Sequence, residues 1–242
     1  MNHELLTLMQ QLRLTGMQRA FEGILSTKNY ELLSNDECLN LLLQAEWEDR
    51  ENKKISRNLQ NARFRYRASM EEVDFNHPRN LDKNLFMRLA DCNFINMAEN
   101  VIITGPTGVG KSYLASAIGH QACRMGYKVI YFNTQKLFSL LKMSKADESY
   151  LKENKKKKKQ QLLILDDFGL QPLDAQTRMM LLEVLEDRHG LKSTLISTQL
   201  PITNWYEIIG DSTVADAILD RMLEKAARVE LKGESLRKRK KD

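Results

Sequence analysis

Cysteine is scarce in this chain, and what there is builds no framework. The 242 residues contain three cysteines. Cys38, Cys92 and Cys123 are far apart, odd in number and without paired metal-type spacing, which argues against disulfides and a zinc site and for reduced, partly buried thiols in a reducing compartment. No apolar run approaches the roughly 18 residues that a membrane-spanning helix needs, and no leader pattern opens the sequence. A soluble, cytoplasmic protein with no membrane partner is expected. Glycine–proline punctuation of the strand–turn kind is missing from residues 1–72, which argues against a β domain there. Neither a zinc finger nor a clear helix-turn-helix is visible, so no element for reading base edges is expected. The net charge of +5 is modest, as is the pI near 9.0. The positive charge is gathered into a few segments, however, and that pattern points to a polyanionic partner, with nucleic acid the natural candidate.

The length suits one α/β domain with a smaller appendage. Residues 1–72 repeat apolar side chains at helical spacing and are expected to form a small all-helical domain. Ser34 and Glu37 have the spacing of a capping box ahead of Leu39, Leu41, Leu42 and Leu43. On the following helix Arg50, Lys53, Lys54 and Arg57 share one face, and Ile55, Leu59, Ala62 and Tyr66 the other. Arg63, Arg65 and Arg67 alternate with Phe64 and Tyr66 and extend the charge. These cations are candidate nucleic-acid contacts, against the plain alternative of a solvated surface. Residues 73–82, with His77-Pro78, are expected as a linker. From residue 83, apolar strands at Val101–Thr104, Lys128–Asn133, Leu162–Leu165, Ser193–Ser197 and Arg228–Leu231 alternate with helices after the first strand and around Gln135–Met143, Asp174–His189 and Val214–Ala227. That order predicts a parallel sheet covered on both faces, with ligand at the carboxyl ends of its strands.

Between the first strand and its helix lies Gly105-Pro106-Thr107-Gly108-Val109-Gly110-Lys111-Ser112, followed by Tyr113. This G-x-x-x-x-G-K-[ST] loop in a strand-to-helix setting is expected to cradle phosphates on backbone N–H groups, with Lys111 adding charge and Ser112 a hydroxyl for Mg²⁺. The strand Leu162–Leu165 runs into Asp166 and Asp167, a Walker B arrangement: Asp166 is placed to hold Mg²⁺ through its water shell and Asp167 to orient the attacking water. The alternative is a pair of acids opening a turn before Gly169. Gln199, ending the next strand ahead of Leu200-Pro201, is either a γ-phosphate or water contact or a turn residue.

The order of these parts, together with Asp216 to Arg221 and Lys232 to Arg237, resembles the IstB-like AAA+ ATPases, transposition helpers of bacterial insertion sequences that are similar in turn to the DnaC helicase loaders. Leu12 to Met17, Ala45 to Asn52, Gly119 to Arg124, and Gln199-Leu200-Pro201 with Trp205 belong to the same resemblance, which covers nearly the whole chain. It implies an AAA+ P-loop ATPase using ATP and Mg²⁺. Such a protein would form a homo-oligomer on duplex DNA, remodel it without strong sequence preference, and direct an IstA-like partner transposase. It also implies roles for single residues: Gln199 as sensor, Arg221 as an arginine finger acting on a neighbouring subunit's nucleotide, and Arg237 as a second sensor. Spacing alone would instead pair Arg221 with Asp220 or Glu224. Three departures from the family pattern stand out. Asp167 replaces the usual Glu, so hydrolysis is expected to be slow. The chain ends too soon after its last strand for a C-terminal lid. Lys155, Lys156, Lys157, Lys158 and Lys159 form an unbroken cationic run, a further candidate for DNA contact. The competing functions are a DnaC-type helicase loader and an ATP-gated DNA-binding switch with little hydrolysis.

Overall fold

The computed structural model describes residues 2–27, 33–146 and 160–236. The Lys155–Lys159 run and Arg237 lie outside the described residues. Packing divides the chain into Met1–Arg57 and Asn58–Asp242, so the boundary by contact falls earlier than residue 72.

The first unit contains α1 (Asn2–Gln11), α2 (Thr15–Thr27) and most of α3 (Asn35–Ala62). The capping box forms as the sequence indicated, with Ser34 N–H donating to the Glu37 carboxylate at 2.8 Å and Glu37 N–H to Ser34 Oγ at 3.3 Å. Gly16 allows α2 to meet α3 closely, since a Cβ there would lie 2.7 Å from Asp49 Cβ. The freed amides of Gly16 and Met17 donate to Glu46 Oε2 at 2.9 and 3.2 Å, and Thr15 Oγ1 donates to Asp49 at 2.8 Å. Carboxylates at a helix N-terminus satisfy N–H groups that have no partner within the helix. Two of the stretches that carry the family resemblance are thus folded onto each other.

In the second unit five strands, β1 (Asn100–Thr104), β2 (Val129–Asn133), β3 (Leu162–Phe168), β4 (Ser193–Thr198) and β5 (Ala226–Glu230), form one sheet in the order β2-β3-β4-β1-β5. Every pairing is parallel. The β-branched and leucine-rich runs of the central strands β1, β3 and β4 are buried on both faces, as a sheet sandwiched by helices requires. One face carries α4 (Lys83–Ala90), α5 (Asn93–Asn96) and α6 (Lys111–Arg124). The other carries α7 (Thr134–Ala146), α8 (Ala175–Glu186), the short α9 (Trp205–Ile209) and α10 (Ser212–Leu223).

The expected linker is part of this unit's core. Val73 is buried, Phe75 packs edge-on against Phe86, and the guanidinium of Arg79 is buried beneath the loop after β1. Asp82 then caps α4 through the amides of Asn84 and Leu85. Among the described residues no lid domain follows β5.

Candidate functional site

The sheet order decides which side chains meet. Because β4 lies between β1 and β3, the loop after β1 and the acids ending β3 face each other across the end of β4. Gly105, Gly108 and Gly110 take φ of 149°, 86° and 98°, values that only glycine adopts without strain. The loop thereby closes onto the N-terminus of α6, with Val109 fully buried beneath it. Lys111 is buried and donates to Pro106 O at 2.8 Å. Tyr113, two residues further along the helix, donates its hydroxyl to Glu72 at 2.9 Å. The loop is supported from outside as well. Arg79 Nη1 donates to Val109 O at 3.2 Å, and Leu236 N–H to Gly108 O at 3.0 Å.

Asp166 is fully buried. Its carboxylate accepts from Ser112 Oγ at 2.9 Å and from the hydroxyls of Tyr131 and Ser197. Burial, together with the charge of Asp166, pushes the Tyr131 phenol upward and keeps it a donor. Asp167 sits in a bulge of β3 with φ 57°, a left-handed conformation that is costly for a non-glycine residue and turns its side chain out of the ladder. Its Oδ2 accepts from Asn133 Nδ2 at 3.2 Å and from Arg65 Nη1 at 2.9 Å. Gln199, from the end of β4, accepts from Thr107 Oγ1 at 2.6 Å and so touches the loop directly.

Ser112 and Asp166 supply two hard oxygens 2.9 Å apart at the mouth of the cradle. No group of three or more His, Cys, Asp or Glu exists among the described residues to hold a metal by protein ligands alone. The pair fits Mg²⁺, which takes few protein ligands and completes its shell with phosphate and water oxygens.

Several residues lie elsewhere than the sequence suggested. Arg65, grouped above with Arg63 and Arg67 as a nucleic-acid contact, is turned to the acid pair. Arg63 and Arg67 line an open cleft of about 570 Å³ with Phe64, Tyr66, His120 and Arg124. Arg50, Lys53 and Lys54 are each paired along α3, with Glu46 at 2.7 Å, Asp49 at 2.6 Å and Glu51 at 3.2 Å. Arg57 donates to Lys53 O at 3.3 Å. Arg221 is held by Glu186 of α8 and by Ala217 O, with the charge of Asp220 also acting on it. Tyr131, Asn133, Ser197 and Arg79 were not visible as site residues in the sequence. The first three lie on β2 and β4, and only the strand order reveals that they face the acids. Nothing local marks Arg79.

Comparison with known proteins gives the same outline. A sequence model described as IstB-like ATP binding protein matches residues 7–242. An insertion sequence ATP-binding protein of Sinorhizobium fredii, y4pL, is 45% identical over 98% of this chain and 96% of its own length. The IS21 ATP-binding protein of Pseudomonas aeruginosa is 30% identical over 97% of this chain and 89% of its own. The DnaC helicase loader superposes with a TM-score of 0.57 at 22% identity, covering 69% of this chain and 97% of that one. The likeness in fold is to AAA+ P-loop proteins.

Proposed function

Since the chain belongs to the IstB-like ATP binding family, we propose that it is an ATP-hydrolysing helper of insertion-sequence transposition, which binds duplex DNA as a homo-oligomer and directs a partner transposase. The observation that carries this reading is the contact between Ser112 and Asp166 beside a glycine-built anion cradle. Backbone N–H groups and the N-terminus of α6 would hold the phosphates, and Lys111 would add charge from a buried position. Ser112 and Asp166 would hold magnesium, which would supply positive charge to the phosphate oxygens. Asp167 would orient the attacking water, from a side chain one methylene shorter than Glu, which favours slow turnover. Gln199 would report on the γ-phosphate through its contact with Thr107.

The cleft beside Phe64 and Tyr66 is a fitting surface for DNA in the second unit, since Arg63, Arg67 and Arg124 line it together. The paired cations of α3 would contribute less. A helicase-loader role is the competing reading, but the likeness to DnaC covers 69% of the chain, whereas the insertion-sequence relative of Sinorhizobium fredii is matched over 98%, the N-terminal helices included. Phosphate release measured with and without duplex DNA tests the proposal. Turnover raised by duplex supports it. Nucleotide-dependent DNA binding with no turnover would favour a switch, and stimulation by single strands alone would favour a loader.

A further inference from the structure

Arg65 is ion-paired with both acids, and nothing in the function proposed so far uses it. Its guanidinium lies 2.9 Å from Asp167 Oδ2 and 3.5 Å from Asp166 Oδ2. It is carried on a strap, residues 63–69, whose alternation is plain in the fold. Phe64 points inward, with its ring centroid 4.4 Å from that of His120 and 6.2 Å from that of Tyr131, and it fills the space where a Cβ on Gly119 would go. Tyr66 packs toward Tyr113. Arg63, Arg65 and Arg67 consequently lie on the exposed side of the strap, from which Arg65 reaches back to Asp167. The strap is thus pinned by its aromatic residues, while Arg65, at 44% side-chain exposure, keeps one side open to solvent.

The geometry points to Arg65 as a latch that links nucleotide loading to DNA binding. Two adjacent carboxylates, one of them fully buried, need a positive charge close by. In the docked arrangement the guanidinium supplies it and takes up Asp167 Oδ2, the oxygen that Asn133 also holds. A divalent cation on Asp166 and a guanidinium bound to Asp167 3.5 Å from Asp166 Oδ2 repel each other, so magnesium nucleotide and docked Arg65 oppose one another. Loading therefore drives Arg65 outward, beside Arg63 and Arg67, where a phosphodiester backbone is its natural partner. By linkage, DNA that captures Arg65 favours the loaded state to the same degree, and it leaves Asp167 free to meet water. Arg65 is in this account a positioning residue acting through Asp167. The account rests on the ATP and duplex-DNA reading given above.

The test uses the whole chain with Arg65→Gln and Arg65→Lys variants, each checked for an unchanged thermal melt. Fluorescent ATP analogue is titrated against Mg²⁺, and duplex binding is followed by anisotropy with and without non-hydrolysable nucleotide. Arg65→Gln is expected to reach half-saturation at roughly tenfold lower Mg²⁺, the scale set by losing one charge-assisted contact. It should also bind duplex equally with and without nucleotide, and Arg65→Lys should stay near the parent protein. An unchanged Mg²⁺ requirement in Arg65→Gln overturns the latch. If the parent protein takes up nucleotide but no duplex, the DNA reading falls and the link to DNA with it, while the Mg²⁺ titration still decides whether Arg65 opposes the metal. If it takes up no nucleotide, both fall.

Discussion

Arg188 provides a test of the fold that leaves the site untouched. It lies just after α8, is 2% exposed, and ties together the amino ends of β3 and β4. Nη1 donates to Gln160 O at 3.0 Å and Nη2 to Ser193 O at 2.5 Å, while Nε donates to Thr194 Oγ1 at 3.1 Å. Nη2 also reaches Gln161 O, but that carbonyl keeps a second donor in Ser193 N–H. Arg188→Met fills a similar volume and removes all of these bonds. Two buried acceptors, Ser193 O and Thr194 Oγ1, then lose a donor at about 1–3 kcal/mol each. Part of that loss is offset because a charge no longer has to be buried, a cost visible in the guanidinium pKa, which burial pulls down to about 10. The net destabilisation is about 2 kcal/mol by the same scale, or roughly 4–8 °C in Tm for a unit of this size. Thermal unfolding followed by circular dichroism measures it, with ATP affinity as the control. A fall below about 2 °C, or a rise in Tm, would refute the view that Arg188 holds these strand ends together.

The buried thiols give a pH prediction. Burial pushes Cys92 and Cys123 up from an ordinary value near 9 to about 12, so at pH 8 a thiol reagent should modify Cys38 in the folded protein and all three cysteines only in denaturant. Because the folded value is the higher one, the unfolded chain releases these protons first, and stability is lost as pH rises from about 9 towards 12. Replacing both buried cysteines with alanine should flatten that alkaline loss, and an unaltered slope would contradict the assignment. Arg221→Ala should retain ATP binding yet lose duplex-stimulated hydrolysis if Arg221 leaves Glu186 to serve a neighbouring subunit; normal turnover in that variant would exclude the finger.

The strands were legible because β-branched and leucine-rich runs such as Val101–Thr104 and Leu162–Leu165 have no other comfortable place in a domain of this size. The phosphate loop was legible for a different reason: its glycines, lysine and serine form a local motif whose geometry depends on few distant contacts. What escaped notice depends on residues far apart in sequence. Phe75 and Phe86 make core out of a segment whose His77-Pro78 reads as a linker. The eight-residue α4 is too short for its periodicity to show. Arg65 shares its charge and neighbours with Arg63 and Arg67, and only folding distinguishes it, by bringing it against a carboxylate 102 positions away. Ser197 looks like an ordinary strand residue until β4 is seen to lie between the loop and the acids. Local chemistry marked the glycine loop and the acids in the sequence, and topology brought Tyr131, Asn133, Ser197 and Arg65 against those acids.

Calorimetric titration of ATP into the protein with Mg²⁺ present is the most direct measurement of the central claim, that the Gly105–Ser112 loop and Asp166 form one nucleotide site. Saturable heat with one ATP per chain is predicted, weakened roughly 10- to 100-fold in Lys111→Ala by loss of a buried charge-assisted contact. No heat of binding in the parent protein, or equal affinity in the variant, would contradict it.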